Sequence, residues 1–229
     1  MSITLKHGAL LGCKGLIRTP EILRLHADRL RLRLGLDRLL QPHVPFLIEL
    51  GLGDAMGKGR ASGERSSQLQ RLGLQDDPQA VDAIVVTHEH GDHIGGVFKF
   101  SRKFGTPVYL THGTWRAALR SRLTEPDYLE TGRVVLIDSH SPIQIKKLTL
   151  HPFPVPHDAA EPIQMLIESS AGFITGILTD CGSATAHLVG MLNRAHALIL
   201  ESNHCPEMLS NSPYPPSLKK RVSGDYGHL

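Results

Sequence analysis

The chain has no apolar run near the roughly 18 residues that a membrane-spanning helix requires, which excludes a helical span. Its opening, Met-Ser-Ile-Thr-Leu-Lys-His, lacks the basic-then-apolar layout of a secretory leader. Cysteine is sparse. Cys13, Cys181 and Cys205 are odd in number and far apart, which fits reduced thiols rather than a disulfide framework. There is no internal repeat and no long low-complexity tract. Aromatic residues make up only 5% of the chain, and none falls among Arg29, Arg31, Arg33 and Arg38, where the basic charge is densest. These absences predict a soluble, cytoplasmic protein without membrane contact.

What is present suits one layered domain. The 229 residues are 41% hydrophobic and 21% charged, enough for a core and too apolar for a disordered chain. A single domain is expected over 1–229, with an atypical first third (1–75) and a readable remainder (76–229). Residues 1–75 carry twelve Lys and Arg against six Asp and Glu, whereas 76–229 carry thirteen against sixteen. A basic arm for nucleic acid would show aromatics between its arginines, so a solvated helix face explains this excess better.

Residues 81–87 (Val-Asp-Ala-Ile-Val-Val-Thr) form the short, mostly apolar run of a buried strand. Further strands are predicted over 108–110, 134–137, 148–150, 163–168, 173–178 and 197–200. Helices are predicted over 94–104, 114–123, 184–195 and 217–222. Strands dominate, with helices between some of them, which suits an α/β (α+β) layered domain with much antiparallel sheet. Earlier in the chain, 21–40 predicts a helix ending near Pro42, 46–50 a short strand, and 67–74 the end of a helix. The five glycines of 51–63 predict a loop.

The decisive segment follows the first clear strand: Thr87-His88-Glu89-His90-Gly91-Asp92-His93. Four metal-competent side chains fall within six residues, and Gly91 is expected to permit the sharp turn that makes them converge. Imidazole and carboxylate suit zinc, manganese or iron. A second metal needs further donors. His157 stands between prolines and Asp158, Asp180 follows an apolar run, and His228 lies one residue from the end. Each alone would more often be structural.

Taken together these residues resemble the metallo-β-lactamase superfamily, whose mark is His-x-His-x-Asp-His followed by a later His, Asp and His. The resemblance is closer still to its YycJ/WalJ-type branch, regarded as DNA exonucleases. It is carried by residues 86–96, 106–115 and 156–162, then by Thr-Asp-Cys-Gly (179–182), Glu-Ser-Asn-His (201–204), 213–222 and Gly-His-Leu (227–229). It implies a four-layer αββα sandwich and two divalent cations, zinc or manganese. His88, His90 and His157 would hold one cation, Asp92, His93 and His228 the other, and Asp180 would bridge them. It further implies a metal-bridging hydroxide as nucleophile, Asp92 as a ligand that also manages the water's proton, and His204 as a contact to phosphate or a proton donor. DNA or another phosphodiester is the expected substrate, cut by a 5′–3′ exonuclease.

Within that superfamily His90 replaces the acid of the redox diiron members, and Asp180 stands where the commonest β-lactamases use Cys. A glyoxalase II-like thioester or small-ester hydrolase shares all seven ligands and stays open as an alternative. So does a catalytically impaired metal-binding member. Glu49 and Leu50 occupy the usual Asp and Cys places of an early turn, 21–40 matches nothing in the family, and only Leu229 follows His228. A ligand so placed is expected to be loosely held.

Overall fold

The computed structural model describes residues 81–201 and 203–229, together with the strand Leu47–Ile48. The helix expected over 21–40, the loop 51–63, the helix end at 67–74, the arginine cluster and Cys13 lie outside the described residues. Of the predicted strand 46–50, only Leu47–Ile48 is described.

The first sheet runs β1 (Leu47–Ile48), β2 (Ile84–Val85), β3 (Val108–Thr111), β4 (Val134–Ile137), in that spatial order and all parallel. Between these strands come α1 (Gly91–Ile94), α2 (Val97–Phe104) and α3 (His112–Arg120), with a 3₁₀ turn at Pro126–Thr131. The second sheet takes β5 (Ile143–Ile145), β6 (Leu148–Pro154), β7 (Ile163–Ser169), β8 (Ile174–Leu178) and β9 (Ala197–Leu200) in chain order. Its pairs are antiparallel except β8 with β9, which the crossover helix α4 (Ala186–Leu192) makes parallel. Helices α5 (Pro206–Asn211) and α6 (Pro216–Val222) finish the chain.

Side-chain alternation divides the core into three clusters and so generates the layers. On β2, Ile84 and Val86 join Phe98, Trp115 and Tyr128 beneath α2 and α3, while Ala83 and Val85 face the opposite way. The latter meet Ile145, Leu150 and Met165 between the two sheets. On β7, Met165 faces that seam while Leu166 turns outward to Phe153, Leu178 and Leu188 under α4. Helix, sheet, sheet, helix is therefore the order, as expected. Among the described residues no helix is long and apolar enough to cross a membrane.

Several element boundaries differ from expectation for local reasons. The strand expected over 81–87 is regular only at Ile84–Val85, although Val81, Ala83, Val86 and Thr87 are buried as well. The helix expected over 94–104 breaks at Gly95 and Gly96, and Gly96 takes a left-handed φ of 86°. Gly91 is not the turn's pivot: it opens α1, has no left-handed φ, and a Cβ there would meet nothing within 4 Å. The helix expected over 114–123 begins two residues earlier because the Thr111 side chain accepts the Thr114 N–H as its cap.

Strand β6 extends to Pro154 despite two prolines. Val155 N–H donates to Pro162 O, so alternation turns the nitrogens of Pro152 and Pro154 to the other edge, where β5 has already ended. The strand β5, the 3₁₀ turn and α5 carried no clear periodicity and are additions to the reading. The two sheets are joined at one end by Ile163 N–H donating to Thr87 O, where the site assembles.

Candidate metal centre

The loop after β2 folds its histidines onto one another. His90 O accepts from both His93 N–H and Ile94 N–H, closing α1 and bringing the His88 ring to 4.6 Å from His90 and 4.0 Å from His93, centroid to centroid. His157, after β6, lies 4.8 Å from His88. Asp180, after β8, brings Oδ2 to 2.9 Å from His93 Nε2. The tail returns His228, whose Nδ1 lies 3.4 Å from Asp180 Oδ1. Three overlapping donor groups result: His88, His90 and His157; His88, His93 and Asp180; His157, Asp180 and His228. In each, the ligand atoms lie within 4.8 Å of one another.

One nitrogen of each imidazole in the first group is occupied by an orienting partner, which leaves the other for the centre. His157 Nδ1 meets Gly227 O at 3.1 Å, so that nitrogen donates and Nε2 is free as an acceptor. His90 Nε2 donates to Asp158 O at 3.2 Å, leaving Nδ1 3.2 Å from His157 Nε2. His88 Nδ1 meets the Thr87 hydroxyl at 3.0 Å, and its Nε2 is buried with no hydrogen-bond partner. An orphaned buried nitrogen costs about 1–3 kcal/mol, a cost a bound cation removes. The donors therefore fit a divalent metal.

Electrostatics agree with that fit. Burial first, then the neighbouring imidazoles, push His88 down to about 2, so its ring is neutral and its lone pair available at neutral pH. Burial likewise lowers His157. Burial alone would raise Asp180, but the hydrogen bond and charge of His93, with His88 and His228, outweigh it and hold the carboxyl below its ordinary range. Asp180 also takes a φ of 41°, an uncommon conformation for a residue with a Cβ. Its N–H donates to Glu201 Oε2 at 2.5 Å, which holds the backbone there.

The remaining predicted residues are placed unequally. Asp92 Oδ2 lies 3.7 Å from His93 Nε2, but its side chain is 59% exposed and joins none of the three groups. It lines, with His93, Thr179, Asp180, Ile199, Leu200 and Glu201, a cavity of about 300 Å³. His228 groups with His157 and Asp180 rather than with Asp92 and His93. Its N–H donates to Val222 O, and a hydrogen bond to Glu201 raises its pKa above the ordinary value. His204 stands apart between β9 and α5, half-buried, with Nδ1 buried and unpartnered.

Four residues with no assigned role in the sequence reading support the donors. Thr87 holds His88 and His93, its hydroxyl 3.0 and 3.4 Å from their Nδ1 atoms. Asp158 holds His90, Glu201 holds Asp180 and His228, and Arg221 grips Asp158. All four stand inside the segments that carry the family resemblance, where no role marked them out. Thr87→Val should lower zinc affinity by about 10–100-fold while Thr87→Ser retains it, as read by calorimetric titration. Equal affinities would remove the hydroxyl from the site.

Imidazoles and carboxylates gathered at the strand ends of an αββα sandwich are the donor set of a metallohydrolase. The chain belongs to the beta-lactamase superfamily domain family, whose model matches residues 52–222. It is similar to exodeoxyribonuclease WalJ of Streptococcus pneumoniae, at 31% identity over 185 residues, covering 80% of this chain and 67% of that protein. Exodeoxyribonuclease YycJ of Bacillus anthracis is 33% identical over 187 residues, covering 80% and 64%. The chain thus spans about two-thirds of the length of these relatives. Among solved structures, the metallo-β-lactamase fold protein YhfI of Bacillus subtilis superposes with a TM-score of 0.51 at 16% identity, over 71% of this chain and 61% of that one, which bears on the fold alone. The chain is a metal-dependent hydrolase of the metallo-β-lactamase fold.

Proposed function

We propose that the protein is a binuclear, metal-dependent phosphodiesterase that removes nucleotides from DNA in the 5′–3′ direction. The observation that carries this reading is the overlap of the donor groups, two of which share Asp180. Overlap suits two neighbouring cations rather than one closed structural site. The names of the two exodeoxyribonuclease relatives support DNA as substrate.

In this reading His88, His90 and His157 would hold one cation and Asp92, His93 and His228 the other, with Asp180 available to both. Zinc or manganese there would lower the pKa of a shared water and steady both attacking and leaving oxygens of a phosphodiester. The chain's own groups do the rest. Asp92, open to the cavity beside His93, is placed to accept the water's proton. Thr87, Asp158 and Gly227 each engage one imidazole nitrogen and turn the other toward the centre. His204, three residues beyond the cavity-lining Glu201, is the candidate for meeting phosphate or protonating the leaving oxygen. The protein would act in the cytoplasm.

Digestion of 5′-end-labelled DNA with added Mn²⁺ tests the reading. Early release of labelled mononucleotide by the parent, and none by Asp92→Ala, is the expected result. A folded, metal-loaded parent that releases nothing rejects the nuclease. Hydrolysis of a thioester by that same protein would then establish the glyoxalase II-like alternative.

A further inference from the structure

One cation beside the donors has so far only the role of gripping Asp158. Arg221, in the last turn of α6, reaches over Asp158, with Nε 2.5 Å from Oδ2 and Nη2 3.2 Å from Oδ1. The same carboxylate lies 3.6 Å from Nε2 of both His90 and His157. The guanidinium is therefore one carboxylate away from the first donor group, yet its side chain is 55% exposed. Besides Asp158, the charge of Asp92 also stabilises it. Among the described residues the other cations with fixed partners are engaged elsewhere: Lys146 pairs with Asp82, and Lys219 donates to Ser210 O.

A purely structural role explains this pair poorly. The tail is already tied to the loop after β6 by Asp158 N–H to Tyr226 O and His157 Nδ1 to Gly227 O. An exposed ion pair adds only about 0–1 kcal/mol to such a framework. What it does provide is aim. A guanidinium fork fits carboxylate and phosphate by the same two parallel hydrogen bonds, and a fork already oriented loses less freedom when it binds.

We infer that Arg221 is a substrate-binding residue that exchanges Asp158 for the oxygens of a non-reacting phosphate next to the scissile one. Asp158 is the placeholder that holds the fork at the mouth of the site until DNA arrives. The inference rests on the phosphodiester reading and deepens it by naming a phosphate contact outside the metal donors.

The test is fluorescence anisotropy of a short labelled single-stranded DNA on metal-free parent, Arg221→Ala and Arg221→Lys protein, from roughly 50 to 200 mM salt. Arg221→Ala should weaken binding about tenfold and reduce the slope of log affinity against log salt by about 0.7. Arg221→Lys, which keeps the charge and loses the fork, should keep the slope with intermediate affinity. In the metal-loaded enzyme, Arg221→Ala should raise KM with kcat within about threefold, and zinc content should equal the parent's. Unchanged affinity and slope, with kcat or zinc content reduced, would overturn the inference and make the pair a latch, while cleavage by the parent would leave the nuclease standing. A parent that neither binds nor cleaves DNA removes the phosphodiester reading and this inference together.

Discussion

Asp180→Ala should lower hydrolysis by roughly 10³-fold, the equivalent of several kcal/mol of metal-supplied stabilisation of the transition state. The carboxylate belongs to two of the three donor groups, and its two oxygens face different partners, Oδ2 toward His93 and Oδ1 toward His228. Removing it takes away the only anion common to those imidazoles among the described donor groups. The site cannot close over the gap, because Glu201 holds the Asp180 N–H and the backbone stays in its left-handed turn. Zinc content should fall below the parent's by elemental analysis while the fold persists by circular dichroism. Asp180→Asn keeps the shape and one donor oxygen but loses the charge, so it should fall between the two. An alanine variant that holds the parent's zinc and stays within about tenfold of its rate would mean that Asp180 shares no metal.

Gly227→Ala should damage stability and metal binding together, although residue 227 has no side chain to donate. Gly227 is buried, and a Cβ there would press on the carbonyl oxygens of Arg221 and Val222 and lie 2.7 Å from Val222 C. These are backbone atoms that cannot swing aside, so the turn must move. Moving it displaces Gly227 O from His157 Nδ1 and drags His228, both members of the group with Asp180. Overpacking of this kind costs about 1–3 kcal/mol, and loss of an orienting partner lowers metal affinity by about 10–100-fold. Urea unfolding of the metal-free protein and a zinc titration read the two effects separately. Gly91→Ala is the control: with nothing within 4 Å it should leave zinc affinity unchanged. A Gly227 variant as quiet as the Gly91 variant would show that the tail does not brace the site.

The contrast between these two glycines shows what could be read beforehand. Gly91 stands inside the metal motif and invites a conformational role, yet it has ordinary helical backbone and open space. Gly227 looked like part of a short terminal motif and is the position where close approach excludes a side chain. Steric need of that kind depends on the residues that arrive from α6, and no local spacing shows it. The same reasoning covers Asp158 and Glu201, which are unremarkable acids along the chain and become orienting groups only because loops after β6 and β9 bring them against imidazoles. His204, given a role by its motif, joins none of the three donor groups.

From the sequence alone followed the donor types, their spacing around residue 90, and the short apolar runs that mark buried strands. These are local properties, set by side-chain chemistry and by the period of a strand. The prediction of layered α/β architecture rested on them, and the three core clusters agree with it. Only the tertiary structure decided which nitrogen of each histidine faces the centre, that His228 groups with His157 and Asp180, and that Arg221 stands over Asp158. Those outcomes depend on contacts between residues about 70 positions apart, such as His157 with Gly227 and Arg221 with Asp158. Such contacts form when the C-terminal tail packs against the loop after β6, and that packing belongs to the whole folded core rather than to any stretch of chain.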